Sequence, residues 1–278
     1  MTVLALSHVR AWRMPAPLLA GVLILCGMLV AALVPGAIAP YDPIAFDYAA
    51  LLQAPSLAHP FGTDNFGRDV LSRTIFATGV DLQIAFFATI APLVVGTLVG
   101  LFIGFYGGLA DAIFAQVVNL VMTFPFLVIV IAIVAVLGPG LENMYVAVSI
   151  VGWVFYARLT RAEVHVQRQS DYVAAARVLG YARSRILFRH ILPNTLRPIL
   201  VFWMTDMSLK ILLGSSLGYL GLGAQPPTAE WGVLIADGKA YFPAGWWMAV
   251  FPGAVIVLCG IGFSLTGDGL ADLLDVKR

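Results

Sequence analysis

The chain predicts an all-α integral membrane protein with six transmembrane helices. Three observations lead there: 60% of its 278 residues are hydrophobic, only 11% are charged, and several long stretches contain no ionised side chain. A soluble domain carries about 25% charged residues, whereas mean hydropathy here is +0.93. Sixteen basic against fifteen acidic residues leave a net charge of +1, which argues for neither a nucleic-acid-binding field nor an acidic tail. The charges inform by position, not by sum.

A helix needs about 20 apolar residues to cross hydrocarbon. The 28 residues between Arg13 and Asp42 predict the first helix, 17–39. Its basic flank imitates a cleavable signal peptide, but such a peptide has an apolar region of about 7–15 residues, so the helix is read as retained. Gaps of 29 residues (Asp81 to Asp111) and 30 (Asp111 to Glu142) predict helices at 84–106 and 113–137. Within them, Gly96, Gly100 and Gly104 recur every four residues, and Pro125 follows Thr123-Phe124. Close helix contact and bending account for these about as well as ordinary packing does. The fourth helix, 143–160, has only 15 uncharged residues between Glu142 and Arg158 and needs Arg158 to snorkel toward headgroups. The fifth, 198–222, carries Asp206 and Lys210, and the sixth, 246–266, fills the 28 residues between Lys239 and Asp268. Cys26 and Cys259 fall inside these apolar runs and read as packing residues, not as a disulfide or zinc framework.

Cytoplasmic loops retain Lys and Arg. With the N-terminus inside, the inner segments hold Arg10, Arg13, Arg158, Arg161, Arg168, Arg177, Arg183, Arg185, Arg189, Arg197, Lys277 and Arg278, twelve in all, and the outer ones only Arg68, Arg73 and Lys239. Both termini are therefore expected inside. The expected organisation is an N-terminal tail and first helix (1–41), an extracytoplasmic loop (42–83), and a five-helix core (84–278) with an inner loop at 158–197.

The outer loop is rich in turn formers. His59, Asp64 and Asp69 tempt a metal assignment, but they converge too weakly for one, and a turn cluster with Arg68 paired locally is the expectation. The inner loop differs in kind, because it carries eight arginines. Ser170-Asp171 offers cap oxygens for a helix from about Tyr172, Gly180 a stop, and a second helix runs from about Arg183 to Leu192 before Pro193. Such a helix suits docking against another protein's backbone and equally suits an amphipathic helix lying on anionic lipid. No G-x-x-x-x-G-K-[ST] loop exists, and the three lysines are Lys210, Lys239 and Lys277, so ATP hydrolysis by that machinery is excluded. The glycines from Gly218 to Gly223 end a membrane helix, where packing or a bend explains them better than a phosphate cradle. The histidines, His8, His59, His165 and His190, all lie outside the predicted spans.

Ala175-Ala176, Gly180 and Leu192-Pro193 have the spacing of the EAA loop of ABC importer permeases. The chain resembles the dipeptide/oligopeptide/nickel branch of that family, "C"-type subunit, from about residue 15 to 276. Tyr172-Val173-Ala174-Ala175-Ala176-Arg177-Val178-Leu179-Gly180 and Arg189-His190-Ile191-Leu192-Pro193-Asn194 carry the likeness. So do Phe61-Gly62-Thr63-Asp64 with Gly67-Arg68-Asp69, Leu220-Gly221-Leu222-Gly223 with Gln225-Pro226-Pro227, Trp231-Gly232, and Gly267-Asp268-Gly269-Leu270. The resemblance implies a type I permease subunit in a bacterial inner membrane. It would pair with a second, related permease, two cytoplasmic ATPases and an extracytoplasmic binding protein, without cofactor, metal or nucleic acid. It further implies that the loop helix couples to the ATPase through Tyr172, Ala175, Ala176, Gly180 and Arg183. Ala174 stands where the motif has its acidic residue, which removes any salt bridge from that position.

The implied mechanism is alternating access, with cargo entering between two permeases and ATP-driven movement reaching the membrane through the inner loop. Asp206 and Lys210, four residues apart on one helical face, either neutralise each other or line the pathway. Di- or oligopeptide is the expected cargo. A nickel or metal-chelate importer is the alternative within the family, toward which Asp206 and Thr228-Ala229-Glu230-Trp231-Gly232 lean. An ion-gradient-driven transporter and an intramembrane enzyme are rival classes. No pair of inverted broken helices supports the first, and no paired catalytic groups at membrane depth support the second.

Overall fold

The computed structural model describes residues 15–274, and among these every regular element is a helix, apart from an isolated bridge between Thr63 and Asp69. The order is α1 (Ala16–Leu33), α2 (Pro35–Ile38), α3 (Val70–Tyr106), α4 (Gly108–Thr123), α5 (Phe126–Leu137), α6 (Leu141–Gln167), α7 (Asp171–Val178), α8 (Arg183–Ile186), a π turn (Leu187–Ile191), α9 (Leu192–Tyr219), α10 (Trp231–Lys239), α11 (Phe242–Gly245) and α12 (Trp247–Leu273). Arg10, Arg13, Lys277, Arg278 and His8, used above, lie outside the described residues.

Four segments are long and apolar enough to cross a bilayer: α1, α3, the continuous run Arg183–Tyr219, and α12. The pair α4 and α5, bent by 83° at its break, passes the same length and composition test only when taken together, as a broken span or a re-entrant loop. Pro125 causes the bend, because it has no N–H to donate and forces the preceding residue out of the helical region; Phe124 is accordingly extended, at φ −93° and ψ 142°. Helix α6 is 27 residues long, about 40 Å at 1.5 Å per residue, but Glu142 at one end and Arg158, Arg161 and Glu163 toward the other make it less apolar than the rest.

Several boundaries differ from the sequence expectation, among them the end of α1 at Leu33 rather than 39 and of α12 at Leu273 rather than 266, and three have an identifiable physical reason. Helix α3 starts at Val70, not 84, because Asp69 caps it by accepting from the Ser72 N–H at 2.7 Å. Arg73 and Asp81, which marked the expected loop, are satisfied by protein partners inside the fold. Helix α6 continues to Gln167, past 160, with Arg161 paired to Asp111 on α4. Pro193 does not end a helix either. The π turn at Leu187–Ile191 displaces the carbonyl register that proline would otherwise strike, so the helix continues through it.

The glycine series brings α3 and α6 into close contact. A Cβ on Gly96 would stand 2.6 Å from Tyr156 Cβ, one on Gly100 2.8 Å from Thr160 Cβ, and one on Gly104 3.0 Å from the Arg161 carbonyl oxygen. Absence of side chains on α3 thus lets α6 lie backbone to backbone against it. On the other side α1 lies along α12, where a Cβ on Gly262 would meet Ile24 at 2.9 Å. Cys259 packs in the core as expected, whereas Cys26 lies on the exposed face of α1.

Candidate coupling surface and intramembrane ion pair

The segment between α6 and α9 is anchored by arginines before it is shaped by its own turns. Arg168 donates to the carbonyl oxygens of Gly104 (3.1 Å) and Phe105 (3.0 Å), which end α3 without helical partners. Arg161 holds Asp111, in the first turn of α4, through both carboxylate oxygens, one of them at 2.7 Å. Together they fasten the Gly107-Gly108 turn to α6.

Helix α7 begins at Asp171, close to the expected start near Tyr172, with Ser170 in the cap position. Its hydroxyl, however, does not cap: it donates back to the Gln167 carbonyl at 2.6 Å. The far end closes tightly. Tyr181 N–H reaches the Ala176 carbonyl (3.1 Å) and Gly180 N–H the Arg177 carbonyl (3.0 Å), with Gly180 at φ +71°. This is a Schellman stop, and its left-handed position favours glycine.

Val173 and Ala176 turn inward onto Leu101, Phe105, Val164, Leu187 and Ile191, so α7 sits on the ends of α3, α6 and α9 together. Ala175 is exposed while Ala176 is 3% exposed. Of the two alanines expected to shape an outer face, one therefore belongs to the chain's own core. The outward apolar edge is made instead by Val178 and Leu179, 89% and 69% exposed, which the motif did not single out. Tyr172 bridges the flanking elements, its hydroxyl donating to Gln167 Oε1 at 2.7 Å and accepting from Asn194 Nδ2 at 3.4 Å. Arg183 is exposed at the start of α8, and Arg185 stacks 4.1 Å over the Tyr181 ring.

In α9, Lys210 Nζ lies 3.0 Å from Asp206 Oδ1, and both side chains are 7% exposed. Asp206 Oδ2 also accepts from the Tyr156 hydroxyl of α6 at 2.8 Å, and Lys210 Nζ stands 4.5 Å from the centre of the Phe126 ring of α5. The pair is mutually neutralised and knits three helices. On spacing alone the first half of this was visible; Tyr156 and Phe126 were not.

Two further polar clusters extend beyond what the sequence reading showed. Asp64 accepts from Arg68 Nε (2.6 Å), Arg73 Nη1 (2.8 Å) and the Phe66 and Arg68 N–H groups, while Asp237 of α10 approaches Arg73 at 3.4 Å. Arg68 is thus paired locally, as expected, but within a network that includes a helix near the C-terminus. Glu230 is wholly buried and accepts the N–H groups of Gly232 (2.7 Å) and Val233 (3.0 Å) to cap α10, and Asp81 accepts Trp231 N–H at 3.0 Å. Burial raises the Glu230 carboxyl above its usual range, against the two backbone donors, which lower it. The glycine run closes α9 as a second Schellman turn, Leu222 N–H to Leu217 at 2.8 Å with Gly221 at φ +77°.

These features define a multi-pass helical membrane protein with a short helix packed on the ends of its long ones. The chain belongs to the family of binding-protein-dependent transport system inner membrane components, whose family model matches residues 96–278. It is 42% identical over 226 residues to the dipeptide transport system permease protein DppC of Alkalihalophilus pseudofirmus, covering 81% of this chain and 74% of that one. It is 42% identical to the probable D,D-dipeptide permease DdpC of Escherichia coli (86% and 80% covered) and 38% identical to the di/tripeptide permease DppC of Pseudomonas aeruginosa (93% and 88%). It is accordingly a transport permease subunit, a class of chain without catalytic activity of its own.

Proposed function

We propose that this permease imports di- or oligopeptides across a bacterial inner membrane as one half of a two-permease pore. The peptide names of its relatives support the cargo, and the nickel reading is not favoured by them. Two cytoplasmic ATPases supply the work, and an extracytoplasmic binding protein delivers the cargo. Six spans with both termini inside fit the four apolar helices, the bent α4–α5 pair and α6, together with the crowding of arginine on one face. The outer loop (42–83) and the core (84–278) are then the extracytoplasmic and translocating parts.

The observation that carries this reading is the seating of α7. A short helix closed at Gly180 and packed through Val173 and Ala176 on the ends of three long helices transmits a push to all of them at once. Tyr172, Ala175, Gly180 and Arg183 shape and flank the docking face, and Ala176 holds it to the core. The test is dipeptide uptake by the reconstituted complex with internal ATP and a collapsed proton gradient. Uptake is expected with ATP alone; uptake that needs the gradient overturns the reading. Gly180→Val is expected to leave the complex in the membrane while abolishing uptake.

A further inference from the structure

The break at Phe124-Pro125 opens a cavity of about 180 Å³ lined by Met122, Phe124, Phe126, Ile129, Val151 and Phe155. Three features distinguish it from a groove for a lipid tail. First, Pro125 interrupts the helical ladder between α4 and α5, and within a span such a break is tolerated where it is buried in protein or lines a polar path, not against lipid. Second, Arg158 reaches the rim, its Nη1 3.1 Å from Met122 Sδ. Among the described residues no carboxylate pairs with it, so its exposed guanidinium is available at the rim to an anionic group. Third, Phe126 is a shared wall: one side faces the cavity, and Lys210 Nζ stands 4.5 Å from its ring centre with Asp206 3.0 Å beyond.

Aromatic lining, a free cation and a neutral charge pair behind the wall match a guest that is apolar in its side chain and charged at its ends. Resting on the importer reading above, we propose that this cavity is the subsite for one apolar side chain of the passing peptide. Arg158 meets the peptide carboxylate at the rim, and the buried Asp206–Lys210 pair stands behind Phe126 without adding net charge. The cargo class is a zwitterionic peptide carrying a medium or large apolar side chain.

The test uses the intact transporter, with its receptor and ATPases, in proteoliposomes supplied with labelled glycylglycine or leucylleucine. Phe155→Trp fills the cavity. It is expected to lower leucylleucine uptake about tenfold while glycylglycine uptake stays within about twofold of wild type, the scale at which an apolar pocket discriminates size. Equal loss of both peptides, or of neither, overturns the subsite and leaves the importer reading standing. Failure of the wild type to take up either peptide overturns the importer reading and the subsite with it. Photoreactive benzoylphenylalanine in place of Phe155 gives a readout independent of transport rate. Crosslinks to labelled leucylleucine support the subsite, and crosslinks confined to lipid or to the second permease overturn it.

Discussion

Arg168, the residue that ends α6, closes the C-terminus of α3 through the carbonyl of Gly104 at 3.1 Å. The same Gly104 lies against the Arg161 carbonyl two turns earlier on α6. Arg168→Ala removes a charge-assisted contact to two helix-end carbonyls, worth about 1.5–3 kcal/mol. We expect a lower unfolding temperature of the purified complex and weaker coupling of ATP hydrolysis to uptake, with Arg168→Lys intermediate in both.

Contact between α3 and α6 depends on missing side chains. Gly100→Val places atoms where Thr160 Cβ would already be 2.8 Å from a Cβ, an overpacking that costs about 1–3 kcal/mol or more. Reduced membrane abundance and loss of the monodisperse peak on size exclusion are the expected outcomes. Gly27→Val is the control, because a Cβ there meets nothing within 4 Å, and wild-type abundance is expected.

The outward edge of α7 and its inward face should separate experimentally. Val178→Ser with Leu179→Ser changes only exposed side chains, so abundance should hold while ATP-driven uptake falls about tenfold, as loss of an apolar docking anchor worth about 1.4 kcal/mol would give. Ala176→Leu instead intrudes on Leu101, Phe105 and Val164. Its expected defect is in assembly, read as lower complex yield on purification.

Breaking the ion pair should hurt more than deleting it. Lys210→Met leaves Asp206 with Tyr156 alone, and stranding one member of a buried pair costs about 3–5 kcal/mol. The double variant Asp206→Asn, Lys210→Met is expected to recover most of that stability. A double-mutant cycle on unfolding of the detergent-solubilised complex measures the coupling. Uptake by the stable double variant then reports whether the charges also serve the pathway.

Long charge-free gaps made the apolar helices legible, because a charge inside hydrocarbon is costly wherever it has no partner. That same rule misplaced the start of α3 and the end of α6: Arg73, Asp81 and Arg161 have protein partners, and a gap count does not register pairing across distant segments. Gly180 and Pro125 showed their roles directly, since each constrains its own backbone. Pro193 misled because the π turn that tolerates it depends on the preceding residues. In the inner segment the motif located α7 but not its orientation. Which of Ala175 and Ala176 faces inward follows from the packing of Phe105, Val164 and Ile191, and those contacts are set by three other helices.

Arg73 and Asp237 are separated by 164 positions in the chain. At a synthesis rate of about 5–20 residues per second, roughly 10–30 s pass between their emergence from the ribosome. During that interval the cluster of Asp64, Arg68 and Arg73 is without its Asp237 neighbour. Completion of this charge network is consequently a late event, reached when α10 arrives, and nascent chains halted short of it would present an unfinished cluster to quality-control proteases.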